Sequence, residues 1–214
     1  MGITLFISLI YMVISGVTGI MANPGEQESR GGTGRIICFG NSITSGLGVE
    51  PDEAYPALLE SRIRNFGKDY SVVNAGLSGE TSAGGLNRIE WILKQPCDIF
   101  ILELGGNDGL RGLPPDQTLK NLQSIIDRVK LKYPDAEIVL AGMKVPPNMG
   151  EDYTASFNKI FPSLAKKNNL ILIPFILEGV GGNPELNQAD GIHPTAEGHR
   201  IICDLVFRYI REIL

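Results

Sequence analysis

The segment Asp190-Gly191-Ile192-His193-Pro194 sets a carboxylate three residues ahead of an imidazole. At that spacing the carboxylate can reach back to the ring Nδ1 and fix the tautomer. Nε2 is then free to take a proton from a nucleophile. The chain has two histidines, and His199 falls inside a helical pattern where a surface or structural role is expected. His193 is therefore the good base candidate. The candidate nucleophile is Ser42, in Gly40-Asn41-Ser42-Ile43-Thr44. It lies just past a strand-like run and ahead of a helix, so its hydroxyl should stand at the rim of a sheet. The peptide N–H groups there point outward and suit an oxyanion. A serine in that place is also an ordinary helix cap, so the loop alone leaves both readings open.

Two further loops supply candidate oxyanion donors. In Asn74-Ala75-Gly76-Leu77-Ser78-Gly79-Glu80-Thr81, Gly79 allows close approach of a ligand and offers an unobstructed N–H. In Gly105-Gly106-Asn107-Asp108-Gly109, Asn107 can donate a side-chain N–H toward the same point, although asparagine among glycines is commonly a turn residue. With the Ser42 N–H these make three donors. Taken together, one nucleophile, one base, one orienting acid and three donors are far more specific than any one of them.

Such a constellation needs a frame that brings separate strand ends together. Apolar runs at Arg35–Phe39, Ser71–Asn74, Ile99–Leu104, Glu137–Ala141 and Leu170–Ile173 read as five strands. Helical spacing fills the intervals at Tyr55–Asn65, Thr81–Lys94, from Pro115 through Val129, at Tyr153–Lys167 and at Thr195–Ile213. Alternation of this kind implies βαβ units and a parallel sheet covered on both faces, a three-layer α/β/α sandwich with a five-stranded sheet. Ligands of such sheets bind beyond the carboxyl ends of the strands, where every candidate loop falls.

The segments FGNSITSGLG, VVNAGLSGETS, ELGGNDGLRG and DGIHP resemble the SGNH (GDSL-type) hydrolases, within them the bacterial thioesterase I, lysophospholipase and arylesterase group. AYPALLESRI, KVPPNMGEDYTASF and PSLAKKNNLILIPF extend the likeness from Arg35 to the final helix. The resemblance implies a flavodoxin-like sandwich and hydrolysis of acyl esters through an acyl-enzyme, without metal or other cofactor. It implies Ser42 as nucleophile, His193 as base, Asp190 as its partner, and Ser42, Gly79 and Asn107 as the oxyanion hole. A carbohydrate O-deacetylase of the same fold is the alternative expectation; a catalytically silent anchored binding protein is a third. One departure stands out: the family motif usually reads Gly-Asp-Ser, and here it is Gly-Asn-Ser, with the uncharged Asn41.

Other motifs fail. There is no G-x-S-x-G elbow, no phosphate-binding loop and no dinucleotide fingerprint. Ser163-Leu164-Ala165-Lys166 matches S-x-x-K by chance within a helical pattern. The 214 residues carry a formal net charge of -5 and no basic run, which excludes a nucleic-acid footprint. Three widely spaced cysteines, Cys38, Cys97 and Cys203, read as buried thiols and form no disulfide framework. Residues 3–21 are free of charge, so 1–22 are expected to be an export signal or an uncleaved membrane anchor. Residues 23–34 read as a flexible linker and 35–214 as the hydrolase domain, exported and expected to be a monomer. Leu110, Leu113, Pro146 and Met149 offer apolar surface in two loops that should line an acyl site.

Overall fold

The computed structural model describes residues 33–214. The leader expected over 1–22 and nearly all of the linker expected over 23–34 lie outside these residues. The described elements run β1 (Gly34–Gly40), α1 (Ser42–Ser45), α2 (Tyr55–Asn65), β2 (Tyr70–Gly76), α3 (Ser82–Ile92), β3 (Ile99–Glu103), α4 (Gly106–Leu110) and α5 (Pro115–Lys132). They continue through β4 (Glu137–Ala141), α6 (Glu151–Asn158), α7 (Ile160–Asn168), β5 (Ile171–Ile173) and α8 (Ala196–Ile210). The five strands pair in parallel in the order β2-β1-β3-β4-β5.

The reason for this frame is legible in the strands themselves. Ile36, Ile37, Cys38 and Phe39 of β1 are all fully buried, as are Phe100, Ile101 and Leu102 of β3. Both faces of a central strand are then apolar, which a sheet tolerates only when helices cover both sides. α2 packs on α8, and α3 on α5, to provide that cover. Register does the rest. Gly40 pairs with Gly76 on one side and with Glu103 on the other. The loops after β1, β2 and β3 therefore leave the sheet side by side, and the chain's direction of winding reverses about β1.

Two expected elements come out differently. The single helix expected over Tyr153–Lys167 is two, α6 and α7, parted at Lys159. Pro162 has no N–H to donate, and its ring would strike the carbonyl four residues back, at Asn158, where α6 ends. The last helix stops at Ile210, short of Ile213, and Thr195 lies outside it as its cap, with its hydroxyl accepting from Gly198 N. α1, α4 and a 3₁₀ turn at Pro147–Met149 were not expected from periodicity, because one turn of helix is too short to show any.

Candidate active site

Asn41 begins the site. Its side chain accepts from Ile43 N at 2.9 Å and caps the single turn of α1. That cap sets Ser42 at the first helical position, where its N–H has no acceptor within the helix. The Ser42 hydroxyl meets His193 Nε2 at 2.9 Å across 151 residues of sequence. The other ring nitrogen, Nδ1, lies 2.6 Å from Asp190 Oδ2. Asp190 Oδ1 accepts from the N–H groups of Ile192 and His193 at 2.9 and 3.0 Å. The positive φ of Gly191, 68°, lets the chain turn tightly enough for the carboxylate to meet both. The His193 ring, and after it these two N–H groups, hold the Asp190 carboxyl well below the usual carboxylate range. An ionised Asp190 fixes the ring with Nδ1–H inward and Nε2 facing the serine, the order a proton acceptor needs.

The loop that carries this pair is tied to the nucleophile loop. Gln188 Nε2 donates to Leu47 O at 2.7 Å and to Pro194 O at 2.9 Å, and Gln188 N donates to His193 O at 2.7 Å. His193 is thus braced from the backbone on both sides.

Asn107 is aimed by α4. Its neighbour Asp108, buried, accepts from Ser82 N at 2.8 Å and from the hydroxyls of Ser82 and Thr118, pinning α4 to α3 and α5. The Asn107 amide donates one N–H to Glu80 O at 2.9 Å. An amide nitrogen carries two, so the second is available to a ligand in the cleft that Asn107 lines. Gly79 takes φ 78°, a conformation that a side chain would strain, and its carbonyl accepts from Arg111. Arg88 completes the support. It pairs with the buried Glu80 and donates to Ala75 O at 2.8 Å and Gly40 O at 3.3 Å, closing the ends of β1 and β2.

A cleft of about 540 Å³ opens over these groups, with Ser42, Asn107 and His193 on its wall. Leu110 and Pro146 also line it. Leu113 and Met149 are not brought to it. Leu113 is held in a turn by its N–H to Asp108 O, and Met149 packs against the core. The apolar wall comes instead from Ile43, Met143, Val145, Phe175, Leu177 and Ile192. Phe175 and Leu177 follow β5 in a stretch with no helical or strand period, so nothing in their spacing marked them.

The second histidine takes no part. His199 is fully buried, and its Nδ1 accepts the Tyr55 N–H at 3.3 Å. Ala54 has no side chain that could cap α2, and His199 does this from α8. Burial pushes its pKa down to about 4. Cys38, Cys97 and Cys203 are buried free thiols, each pushed up to about 12 by burial. Among the described residues no group of three or more His, Cys, Asp or Glu side chains gathers in a way that could hold a metal ion.

Glu103 is not among the candidate site residues that the sequence motifs mark. It ends β3, is fully buried, and accepts from Asn41 N, Asn41 Nδ2 and Thr44 Oγ1 at 3.1, 2.7 and 2.8 Å. A signal did exist: a single carboxylate in a strand buried on both faces has to have partners.

Known proteins carry the same arrangement of segments. The esterase TesA of Pseudomonas aeruginosa is 38% identical over 180 residues, covering 84% of this chain and 89% of that protein. The thioesterase 1/protease 1/lysophospholipase L1 of Escherichia coli K12 is also 38% identical over 180 residues, 84% of each chain. The crystal structure of TesA superposes with a TM-score of 0.80, covering 84% of this chain and 99% of that one. The family profile matches residues 38–201, a span that starts within β1, ends within α8 and holds Ser42, Asn107, Asp190 and His193. The chain belongs to the GDSL-like Lipase/Acylhydrolase family.

Proposed function

We propose that Ser42, His193 and Asp190 are the catalytic triad of an esterase that acts on esters of medium to long acyl chains, in the manner of a lysophospholipase or arylesterase. Ester hydrolysis belongs to the protein as a member of its family, whose relatives here are named esterase, arylesterase and thioesterase. The observation that carries the residue assignment is the unbroken line Asp190 Oδ2–His193 Nδ1, His193 Nε2–Ser42 Oγ, at 2.6 and 2.9 Å.

In the reaction Nε2 takes the Ser42 proton while Oγ bonds to the ester carbonyl carbon. The carbonyl oxygen becomes anionic and receives hydrogen bonds from Ser42 N, Gly79 N and the second Asn107 N–H. When the intermediate collapses, the bond to the alcohol breaks and the imidazolium returns its proton to the leaving oxygen. Water then attacks the acyl-serine by the same path.

The cleft supports the substrate class. Its wall is largely apolar and its volume far exceeds what an acetyl group fills. Export would take the enzyme away from acyl-CoA, so lysophospholipids and simple carboxylic esters are the natural substrates in this reading. The test is hydrolysis of p-nitrophenyl esters from acetyl to palmitoyl, beside Ser42→Ala. Loss of at least about 10³-fold in kcat for the variant, with an optimum above acetyl, is expected. An acetyl-only profile would point to a carbohydrate deacetylase. Equal activity in Ser42→Ala would remove the triad assignment.

A further inference from the structure

The mechanism above makes no use of Glu103, yet no other carboxylate in the described residues reaches the nucleophile loop so directly. Every hydrogen bond it accepts comes from that loop: Asn41 N and Thr44 Oγ1 reach Oε2, Asn41 Nδ2 reaches Oε1, and the Thr44 N–H adds to them. The donors come from the two residues that flank Ser42-Ile43. The space is closed as well, since a Cβ at Gly40 would run into the Glu103 carboxylate and the Thr44 hydroxyl.

We infer that Glu103 is a positioning residue, a buried carboxylate that holds the serine loop in its reactive shape, and that Asn41 lets it do so without a shared proton. The Asn41 amide carries the effect. A carboxylate accepts and cannot donate, so Asn41 must turn Nδ2 toward Glu103. That leaves Oδ1 facing Ile43 N, where it caps α1 and sets the Ser42 backbone. With aspartate at position 41, two carboxyl groups would meet at the present 2.7 Å contact and one would have to be protonated. The amide removes that condition, and the charge that the loop leans on sits at residue 103 alone.

The surroundings agree. The titratable groups that face Glu103 are Tyr55 of α2 and, behind it, Cys38 of β1, both pushed up by burial and neutral at working pH. Arg88 of α3 approaches the neighbouring strand end through Gly40 O. Burial pushes Glu103 itself up to about 7 against the pull of its four donors. Protonation near neutral pH would place an O–H among these donors and weaken the hold on Asn41, so Glu103 should help set the acid side of the activity profile.

The inference rests on the Ser42 triad, and Ser42→Ala is run in parallel so that the two stand or fall separately. The experiment measures kcat and KM against pH on a p-nitrophenyl ester for the full chain, Glu103→Gln and Asn41→Asp/Glu103→Gln, with thermal melts of each. Glu103→Gln presents an amide N–H₂ to donors, so kcat should drop about 10- to 100-fold with KM little changed, and the acid limb should lose one proton from its slope. The double variant exchanges carboxylate and amide across the same contact and should regain at least tenfold over Glu103→Gln. A Glu103→Gln enzyme with wild-type kcat and acid limb would overturn the inference. So would a double variant no better than Glu103→Gln while both melt as folded proteins. If activity survives in Ser42→Ala, the triad fails first.

Discussion

The rim of the sheet and the layer just beneath it each contain a carboxylate and an imidazole, in opposite environments. At the rim, Asp190 is nearly half exposed, and hydrogen bonds from His193 and two backbone N–H groups favour its charged form. Beneath it, Glu103 and His199 are fully buried, and burial drives the acid up to about 7 and the base down to about 4. Both buried shifts follow one rule: a low-dielectric site resists charge of either sign. The rim is suited to moving a proton and the lower layer to holding shape. The buried layer is linked within itself as His199–Tyr55–Thr44–Glu103, by a 3.3 Å contact to Tyr55 N, a 3.1 Å contact from Tyr55 OH to Thr44 and a 2.8 Å contact to Glu103, and it meets the rim at Asn41, whose Nδ2 donates to Glu103 at 2.7 Å beside Ser42.

The largest effect that separates the layers belongs to the rim. In Asp190→Asn, the side-chain oxygen can still accept from Ile192 N and His193 N, so the loop should keep its shape. The charge that fixes the tautomer is lost, and kcat should fall about 10²- to 10⁴-fold. Because the Asp190 side chain is nearly half exposed, stability should change little. Steady-state kinetics and a melt of the same sample check both halves, and a large drop in melting temperature would show that the rim holds shape as well.

Next in size is the oxyanion donor carried by α4. Asn107→Ala removes the cleft-facing N–H and the bond to Glu80 O together. If the amide serves the oxyanion, kcat should fall about 10²- to 10³-fold, equivalent to roughly 2.7–4 kcal/mol of barrier. A loss that appears only in KM would mean that Asn107 binds the ester without stabilising its transition state.

The same contrast explains what the sequence disclosed. Asp190 and His193 are three residues apart, and their pairing could be reasoned from spacing. The five strands showed as apolar runs because both sheet faces are buried. The contact of His193 with Ser42 spans 151 residues and was reached only through the strand-end rule and the likeness of the loops. Glu103 lay hidden because its partners, Asn41 and Thr44, are brought to it by register between β1 and β3, which no local period reveals. Leu113 and Met149 failed as cleft residues for a related reason. Apolar character in a loop does not say which way the loop turns: Leu113 is turned by its N–H to Asp108 O, and Met149 packs against the core.

His199 offers the smallest effect and the sharpest test of the buried layer. Its Nδ1 must stay unprotonated to accept the Tyr55 N–H, and its Nε2 has no hydrogen-bond partner among the described residues. Between its ordinary value of 6.5 and about 4, the unfolded chain binds a proton there that the folded chain does not. Stability from this group is therefore present above pH 6.5 and is lost as pH falls toward 4, by up to about 3 kcal/mol. Glu103 acts in the opposite sense. Its raised pKa means that the folded chain holds the extra proton, between the ordinary 4.5 and about 7, so its contribution is lost as pH rises through that window. The two slopes oppose each other where the windows overlap, and the wild-type profile alone will look flat there. The difference between His199→Gln and wild type isolates the histidine, because Glu103 is common to both. Glutamine can still accept from Tyr55 N but does not titrate, so the variant should be relatively more stable at pH 4.5 than at pH 7.5 in urea titrations. An unchanged difference across that range would mean that His199 is accessible to protons in the folded state and that the buried layer is open at its α8 side.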